Sequence, residues 1–323
     1  MLLTGDVGGT KTLLALFEPR PHRPAPISVR SFPTTEFQSL GDIVAAFLAA
    51  EGLNPDRIEA ACFGVAGPVL DGRAHLTNVG WAVLAAEVRN RFGVAEVELL
   101  NDLEAIAWSV GVLAPLELEV LQRGEQVRHG NGAVIAAGTG LGMAILLRAG
   151  ERFLPLASEG GHADFAPRTA REMELLRVLT NWYGRAQWED IVSGPGLANL
   201  HRFTHRTPCT AFPDSLEAGE RPAAISSAAI EKRCPACVEA LDLFVSIYGS
   251  AAGNLALTAA ATGGLYVGGG IAPKILPALR AGRFMAAFGA KAPMEPLLSR
   301  MPVQIILNQE AGLLGAAVRI NRQ

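Results

Sequence analysis

The chain has 323 residues and a mass of 34.0 kDa, with 50% hydrophobic and 18% charged residues. That is enough for two domains with buried cores, and it excludes a largely disordered chain. The formal charge, 28 − 31 = −3, offers no basic footprint for nucleic acid or an acidic membrane.

Glycine is over-used, at 35 of 323 residues against a usual share of about 7%, without the Gly-X-Y period of collagen. Its clusters are therefore the first guide along the chain. The opening MLLTGDVGG has no basic n-region and meets Asp6 early, so no secretory leader is expected. Residues 2–5 and 12–17 are apolar runs around Asp6-Val7-Gly8-Gly9-Thr10, which predicts a β-hairpin. Gly5 with Lys11-Thr12 nearly matches a Walker A loop, but Thr10 stands in place of glycine and a strand-like run follows instead of a helix.

Asn78 and Trp81 then place a polar group and an aromatic face within six residues, both common in sugar sites. Residues 96–100 read as a strand, and a helix begins at Leu103. Asn101 and Asp102 fall at the junction. Asp102 reads either as a helix N-cap or as a carboxylate at the ligand-facing strand end that can accept a proton.

Residues 133–137 and 143–147 flank Gly138-Thr139-Gly140-Leu141-Gly142, a second predicted hairpin. It has neither the spacing nor the following helix of a dinucleotide fingerprint. Each turn reads as a plain tight hairpin or as a loop whose N–H groups converge on phosphate. The repetition suggests two similar α/β halves. In Ser158-Glu-Gly-Gly-His-Ala-Asp-Phe165, two glycines separate Glu159 from His162, so both can reach adjacent hydroxyls. Glu189 is a further carboxylate close to the Gly194-Pro-Gly196 turn. Residues 204–224 read as a polar, proline-containing connection.

Four cysteines are too few for a disulfide scaffold and point to a reducing compartment. Cys234-Pro-Ala-Cys237 is a C-x-x-C pair two ligands short of a zinc site, and no second such pair exists. It reads as two thiols near a helix start. The stretch 243–273 has no charge but is divided here into a buried helix at about 238–261 and a strand at 264–268 that ends in Gly268-Gly269-Gly270. Neither is expected to span a bilayer.

The ordered set GDVGGTKT, LTNVGW, LLNDLEA, AAGTGLGMA, SEGGHADF, EDIVSGPGLANL, YVGGGIAPK and NQEAGLLGAA resembles the bacterial glucokinase family across essentially the whole chain. These are sugar kinases of the actin/hexokinase-like superfamily. The resemblance implies an α/β fold of two RNase-H-like domains flanking a cleft. Residues 1–112 plus 303–323 would form the small domain and 113–302 the large one.

It also implies a cytoplasmic homodimer that transfers the γ-phosphoryl group of MgATP to the 6-hydroxyl of glucose in the first step of glycolysis. Asp102 would be the catalytic base. Asn78, Asn101, Asp102, Glu159, His162 and Glu189 would hold glucose. Asp6, Gly8, Gly9, Thr10, Gly138, Thr139, Gly140, Gly268, Gly269 and Gly270 would hold the nucleotide, with Asp6 ordering Mg²⁺ through water. Zinc-bearing relatives carry a Cys-rich loop after the Glu-Gly-Gly-His segment, which is missing here, so no structural zinc is expected. No nucleic-acid or membrane partner is expected either. A kinase for another hexose, a sugar sensor and a dinucleotide-dependent oxidoreductase are the alternatives.

Overall fold

The computed structural model describes residues 1–323 except 77, 78, 206, 208, 214 and 323. It is a mixed α/β structure with three sheets. The strands are β1 (Leu2–Val7), β2 (Lys11–Glu18), β3 (Ala25–Pro33), β4 (Ala60–Val65), β5 (Val69–Leu70), β6 (Arg73–His75), β7 (Ala82–Leu84), β8 (Glu96–Asn101), β9 (Leu118–Gln122), β10 (Gly132–Ala137), β11 (Leu141–Ala149), β12 (Arg152–Ser158), β13 (Gly264–Gly268) and β14 (Val303–Ile306). The helices are α1 (Leu40–Glu51), α2 (Ala85–Phe92), α3 (Asp102–Ser109), α4 (Ala170–Tyr183), α5 (Gly194–Thr204), α6 (Arg221–Ile230), α7 (Pro235–Ala259), α8 (Leu276–Arg280), α9 (Arg283–Gly289), α10 (Glu295–Leu298) and α11 (Ala311–Ile320).

The chain divides into two compact units, residues 1–114, 152–157 and 308–323, and residues 115–151 and 158–307. In the first unit the strand order is β3-β2-β1-β4-β8. β1 and β2 form the expected antiparallel hairpin, and β1, β4 and β8 run parallel. Successive residues of β4 explain why both sheet faces are covered. Ala61, Phe63 and Val65 enter one core with Phe47 of α1 and Val88 of α2, while Ala60 and Cys62 enter another with Ala105 of α3 and Leu314 of α11. A strand's side chains alternate between faces, so a wholly apolar strand demands partners on both.

The second unit repeats the device. Its sheet runs β11-β10-β13-β14-β9, with β10 and β11 an antiparallel hairpin and β10, β13 and β14 parallel. Val303–Ile306 was expected to open the return into the first unit. It pairs instead with β13 and β9, which completes the second unit's ladder and moves the return to Asn308. α7 is the one helix among the described residues long and apolar enough to cross a bilayer. Its apolar residues, from Cys237 through Phe244 and Tyr248 to Ala259, are the centre of this unit's core. The helix and strand read from the uncharged stretch are thus α7 and β13.

Candidate functional site

In each unit the candidate residues gather at the carboxyl ends of the parallel strands, where open α/β sheets bind ligands. In the first unit, β1 places Asp6 beside Gly64 of β4, and β4 places Val65 beside Asn101 of β8. Asn101 is the N-cap of α3. The Leu103 N–H is shared between Asn101 Oδ1 at 2.9 Å and Asp102 Oδ1 at 2.8 Å, and Asn101 Nδ2 donates to the Gly67 carbonyl at 3.1 Å. The cap therefore falls to Asn101 rather than to Asp102, which stands on the first turn of α3 at the strand end.

The first glycine turn is held by its own atoms. The Gly8 N–H donates to the Lys11 carbonyl at 3.1 Å, and buried Thr34 donates its hydroxyl to the Gly8 carbonyl at 2.8 Å. Thr34 Oγ1 is also 2.8 Å from Thr12 Oγ1. Gly8 thus spends its N–H inside the turn, and the N–H groups of Gly9 and Thr10 remain outside the turn's own hydrogen bonds. Thr34 was missed in the sequence, because a lone threonine 26 residues away carries no pattern.

Asp6 is the electrostatic focus of this face. Burial, and then the charge of Asp102, push its carboxyl up to about 6, against a smaller opposing pull from Lys11. Gly312, at the start of α11, lies against it, with its Cβ position 3.7 Å from Asp6 Oδ2. Two carboxylates that raise each other's cost of ionisation suit a site that receives a cation or a proton.

In the second unit, the Gly138 N–H closes its turn onto the Gly140 carbonyl at 2.9 Å, and the Gly140 Cβ position is 2.5 Å from Glu189 Oε2. The Gly194 N–H at the start of α5 donates to the Gly138 carbonyl at 2.8 Å. Ser193 caps that helix, accepting from the Gly196 N–H at 2.9 Å and donating to the Glu189 carbonyl at 2.7 Å. The Ser-Gly-Pro-Gly run is a legible helix-start signal, but its role as a brace for the turn 55 residues earlier was not read. Gly269 has φ +85° and a Cβ position 2.3 Å from the Ala137 carbonyl, so a glycine is required for β13 to end beside the turn. Gly268 pairs with Ala136 on β10, and nothing lies within 4 Å of the Gly270 Cβ position.

The predicted sugar ligands of this unit are drawn to the same place. Glu189 Oε2 accepts from the Leu141 N–H at 2.8 Å, directly after the turn. The Glu189 N–H donates to the Gly161 carbonyl at 2.9 Å and the Trp188 N–H to the Ala163 carbonyl at 3.1 Å, fastening the loop that carries Glu159 and His162. His162 Nε2 is 3.8 Å from Glu159 Oε2, its Nδ1 is 3.2 Å from Gln187 Oε1, and both side chains are at least half exposed. Glu189 therefore braces the second turn as well as facing the loop. Asn78 lies outside the described residues. Trp81, the aromatic of the pair, packs partly buried on the first unit's core with its Nε1–H donating to the Phe37 carbonyl at 3.0 Å.

Gly161 has the tightest approach of the loop: its Cβ position is 1.9 Å from the Leu141 carbonyl oxygen, a backbone atom that cannot step aside. Gly161→Ala is expected to cost about 1–3 kcal/mol, the range for overpacking. Urea unfolding of the two proteins measures it, and an unchanged midpoint would show that the loop moves freely off β11.

A model of the glucokinase family matches residues 3–323. A glucokinase from Synechocystis sp. is 38% identical over 98% of this chain and 96% of its own. The crystal structure of a glucokinase from an Antarctic psychrotroph aligns with a TM-score of 0.85 at 31% identity, covering 100% of this chain and 99% of that one. A ROK family glucokinase from Streptomyces griseus, solved in complex with glucose and AMPPNP, aligns with a TM-score of 0.67 at 25% identity, covering 98% of each chain.

Proposed function

The chain belongs to the glucokinase family, and on that footing we propose that it transfers the γ-phosphoryl group of MgATP to the 6-hydroxyl of D-glucose, releasing ADP and glucose 6-phosphate. The observation that carries the reading is the pairing of Asp102 with Asp6 at the strand ends beside a glycine turn.

Phosphoryl transfer asks little covalent chemistry of a protein; positioning and charge stabilisation carry the rate. Asp102 takes the proton of the sugar 6-hydroxyl as that oxygen attacks phosphorus. The N–H groups of Gly9, Thr10, Thr139 and Gly140 stabilise charge on the β- and γ-phosphates. Asn101, Glu159, His162 and Glu189, with Asn78, hold the remaining sugar hydroxyls. Gly268 to Gly270 leave room for the adenosine.

Magnesium enters with the nucleotide and neutralises phosphate charge. Asp6 fits the role of holding it through water: magnesium keeps most of its waters and takes one or two carboxylates, and this carboxylate is one whose ionised form lacks compensation. The two units are taken as the family's pair of RNase-H-like domains. A cytoplasmic homodimer working at the first step of glycolysis completes the reading and rests on the family likeness.

The test is ADP release by the purified protein with MgATP and a panel of hexoses. Glucose is expected to give the highest kcat/KM, and N-acetylglucosamine to be rejected if Glu159 and His162 crowd the C2 side. A higher value for another hexose would reassign the substrate. Glucose binding without ADP release would make the chain a sugar sensor.

A further inference from the structure

A second cluster of chemically capable side chains lies in the second unit, on residues the kinase reading does not use. His201 occupies the last turn of α5 and His205 is its C-cap; Cys209 follows four residues later. Cys234 is the N-cap of α7, and Cys237 is buried in its first turn. The chain runs from His201 in the last turn of α5 through its extended C-cap at His205 to Cys209. It brings an imidazole and a thiol to the C-x-x-C pair, which the sequence left two ligands short.

The distances within the cluster are those of a coordination sphere. Around an ion bound tetrahedrally with metal–sulfur bonds of about 2.3 Å and metal–nitrogen bonds of about 2.0–2.1 Å, ligand atoms lie roughly 3.4–3.8 Å apart. Cys209 Sγ is 3.7 Å from Cys237 Sγ, and His205 Nε2 is 3.8 Å from Cys237 Sγ and 3.3 Å from Cys234 Sγ.

A second observation points the same way. His205 Nδ1 is 2.9 Å from the His201 carbonyl oxygen. That oxygen can only accept, so the Nδ1 proton is fixed there and Nε2 is left with its lone pair toward the sulfurs. Metal-bound histidines are oriented by just such a bond from the other ring nitrogen.

We propose that His205 Nε2 and the sulfurs of Cys209, Cys234 and Cys237 bind one divalent thiophilic ion of the zinc class in a closed structural site. The three thiols lose their protons to solvent on binding. His201 has a ligand atom within 4.8 Å of those of His205, Cys209 and Cys237. The 3.3 Å approach of Cys234 Sγ to His205 Nε2 and the C-x-x-C bite nevertheless give the fourth position to Cys234, and His201 lies against the His205 ring at 3.7 Å between centroids. The ion joins the end of α5 to the start of α7, where Thr204 Oγ1 already donates to the Ala236 carbonyl at 2.9 Å. The proposal departs from the expectation of no structural zinc. That expectation rested on a missing loop after the Glu-Gly-Gly-His segment, whereas these ligands come from a different stretch of chain. The proposal does not depend on the kinase reading.

The test uses the full chain, produced without a polyhistidine tag or chelator, and measures bound metal by mass spectrometry. One zinc per chain is expected. Cys209→Ser and Cys234→Ser should lose it, and His201→Gln should keep it. Cobalt added to the chelator-stripped wild-type protein should give the thiolate charge-transfer bands and intense visible bands of a tetrahedral site, a readout that needs no variant to fold. Failure of the stripped protein to take up zinc or cobalt would overturn the proposal, as would a Cys209–Cys237 disulfide in the protein as isolated. Loss of the ion in His201→Gln with retention in Cys234→Ser would overturn the ligand assignment.

Discussion

Replacing Asp102 with asparagine is expected to lower kcat by about 10²–10⁴-fold, the range for lost general-base help, while glucose still binds. The isosteric amide is the right probe because of the local structure. Asp102 Oδ1 shares the Leu103 N–H with Asn101, and an asparagine at 102 can still accept that bond, so the start of α3 survives. The amide cannot take the proton of the attacking hydroxyl. An interaction made only as the transition state forms lowers kcat and kcat/KM together and leaves substrate affinity alone. Steady-state ADP release and calorimetric glucose binding on the same preparation separate the two. Turnover within about tenfold of wild type would remove Asp102 from the role of base.

The parts legible in the sequence are those written in short-range patterns. The two hairpins were readable because glycines interrupt apolar runs, and a turn needs only its own residues to form. The Asn101–Asp102 junction was readable because strand and helix periodicities change there. What escaped was set by distance along the chain. Glu189 reaches the Leu141 N–H across 48 residues, and nothing near Glu189 distinguishes a brace for the glycine turn from a surface charge. Trp81 shows a different limit: an aromatic of a type common in sugar sites is equally a core-packing residue, and it packs partly buried against the first unit's core. The C-x-x-C pair was set aside because its partners were sought as another C-x-x-C. They came instead from a His-x₃-His-x₃-Cys stretch about 30 residues upstream, where the chain leaves α5 and no local periodicity marks them as neighbours of the pair.

Asp6→Asn is expected to stabilise the free protein above pH 6 while removing most of its activity. The Asp6 carboxyl is pushed up from an ordinary 3.8 to about 6 by burial and by the Asp102 charge. Below about pH 4 the group holds its proton in both the folded and unfolded chain, so it costs nothing. Between about pH 4 and 6 the unfolded chain ionises first and the folded protein binds the extra proton, so stability falls as pH rises. Above pH 6 the penalty is fully developed, at most about 3 kcal/mol for a shift of roughly two units. Asparagine has no charge to bury. It should recover about 1–3 kcal/mol at pH 8, with the gain shrinking toward zero as pH falls to about 4.

Urea unfolding of both proteins across that range measures the gain, and a pH-independent difference would assign the effect to packing instead. Activity moves the other way. Without the carboxylate the nucleotide-bound magnesium loses its anchor on this face, and kcat/KM for MgATP should drop by about 10²–10³, the scale for one lost electrostatic contact at a transition state. The wild-type protein carries the instability until a cation arrives. Nucleotide bound with magnesium should therefore raise the stability of the wild type more than that of Asp6→Asn, because the ion supplies the counter-charge that burial withholds.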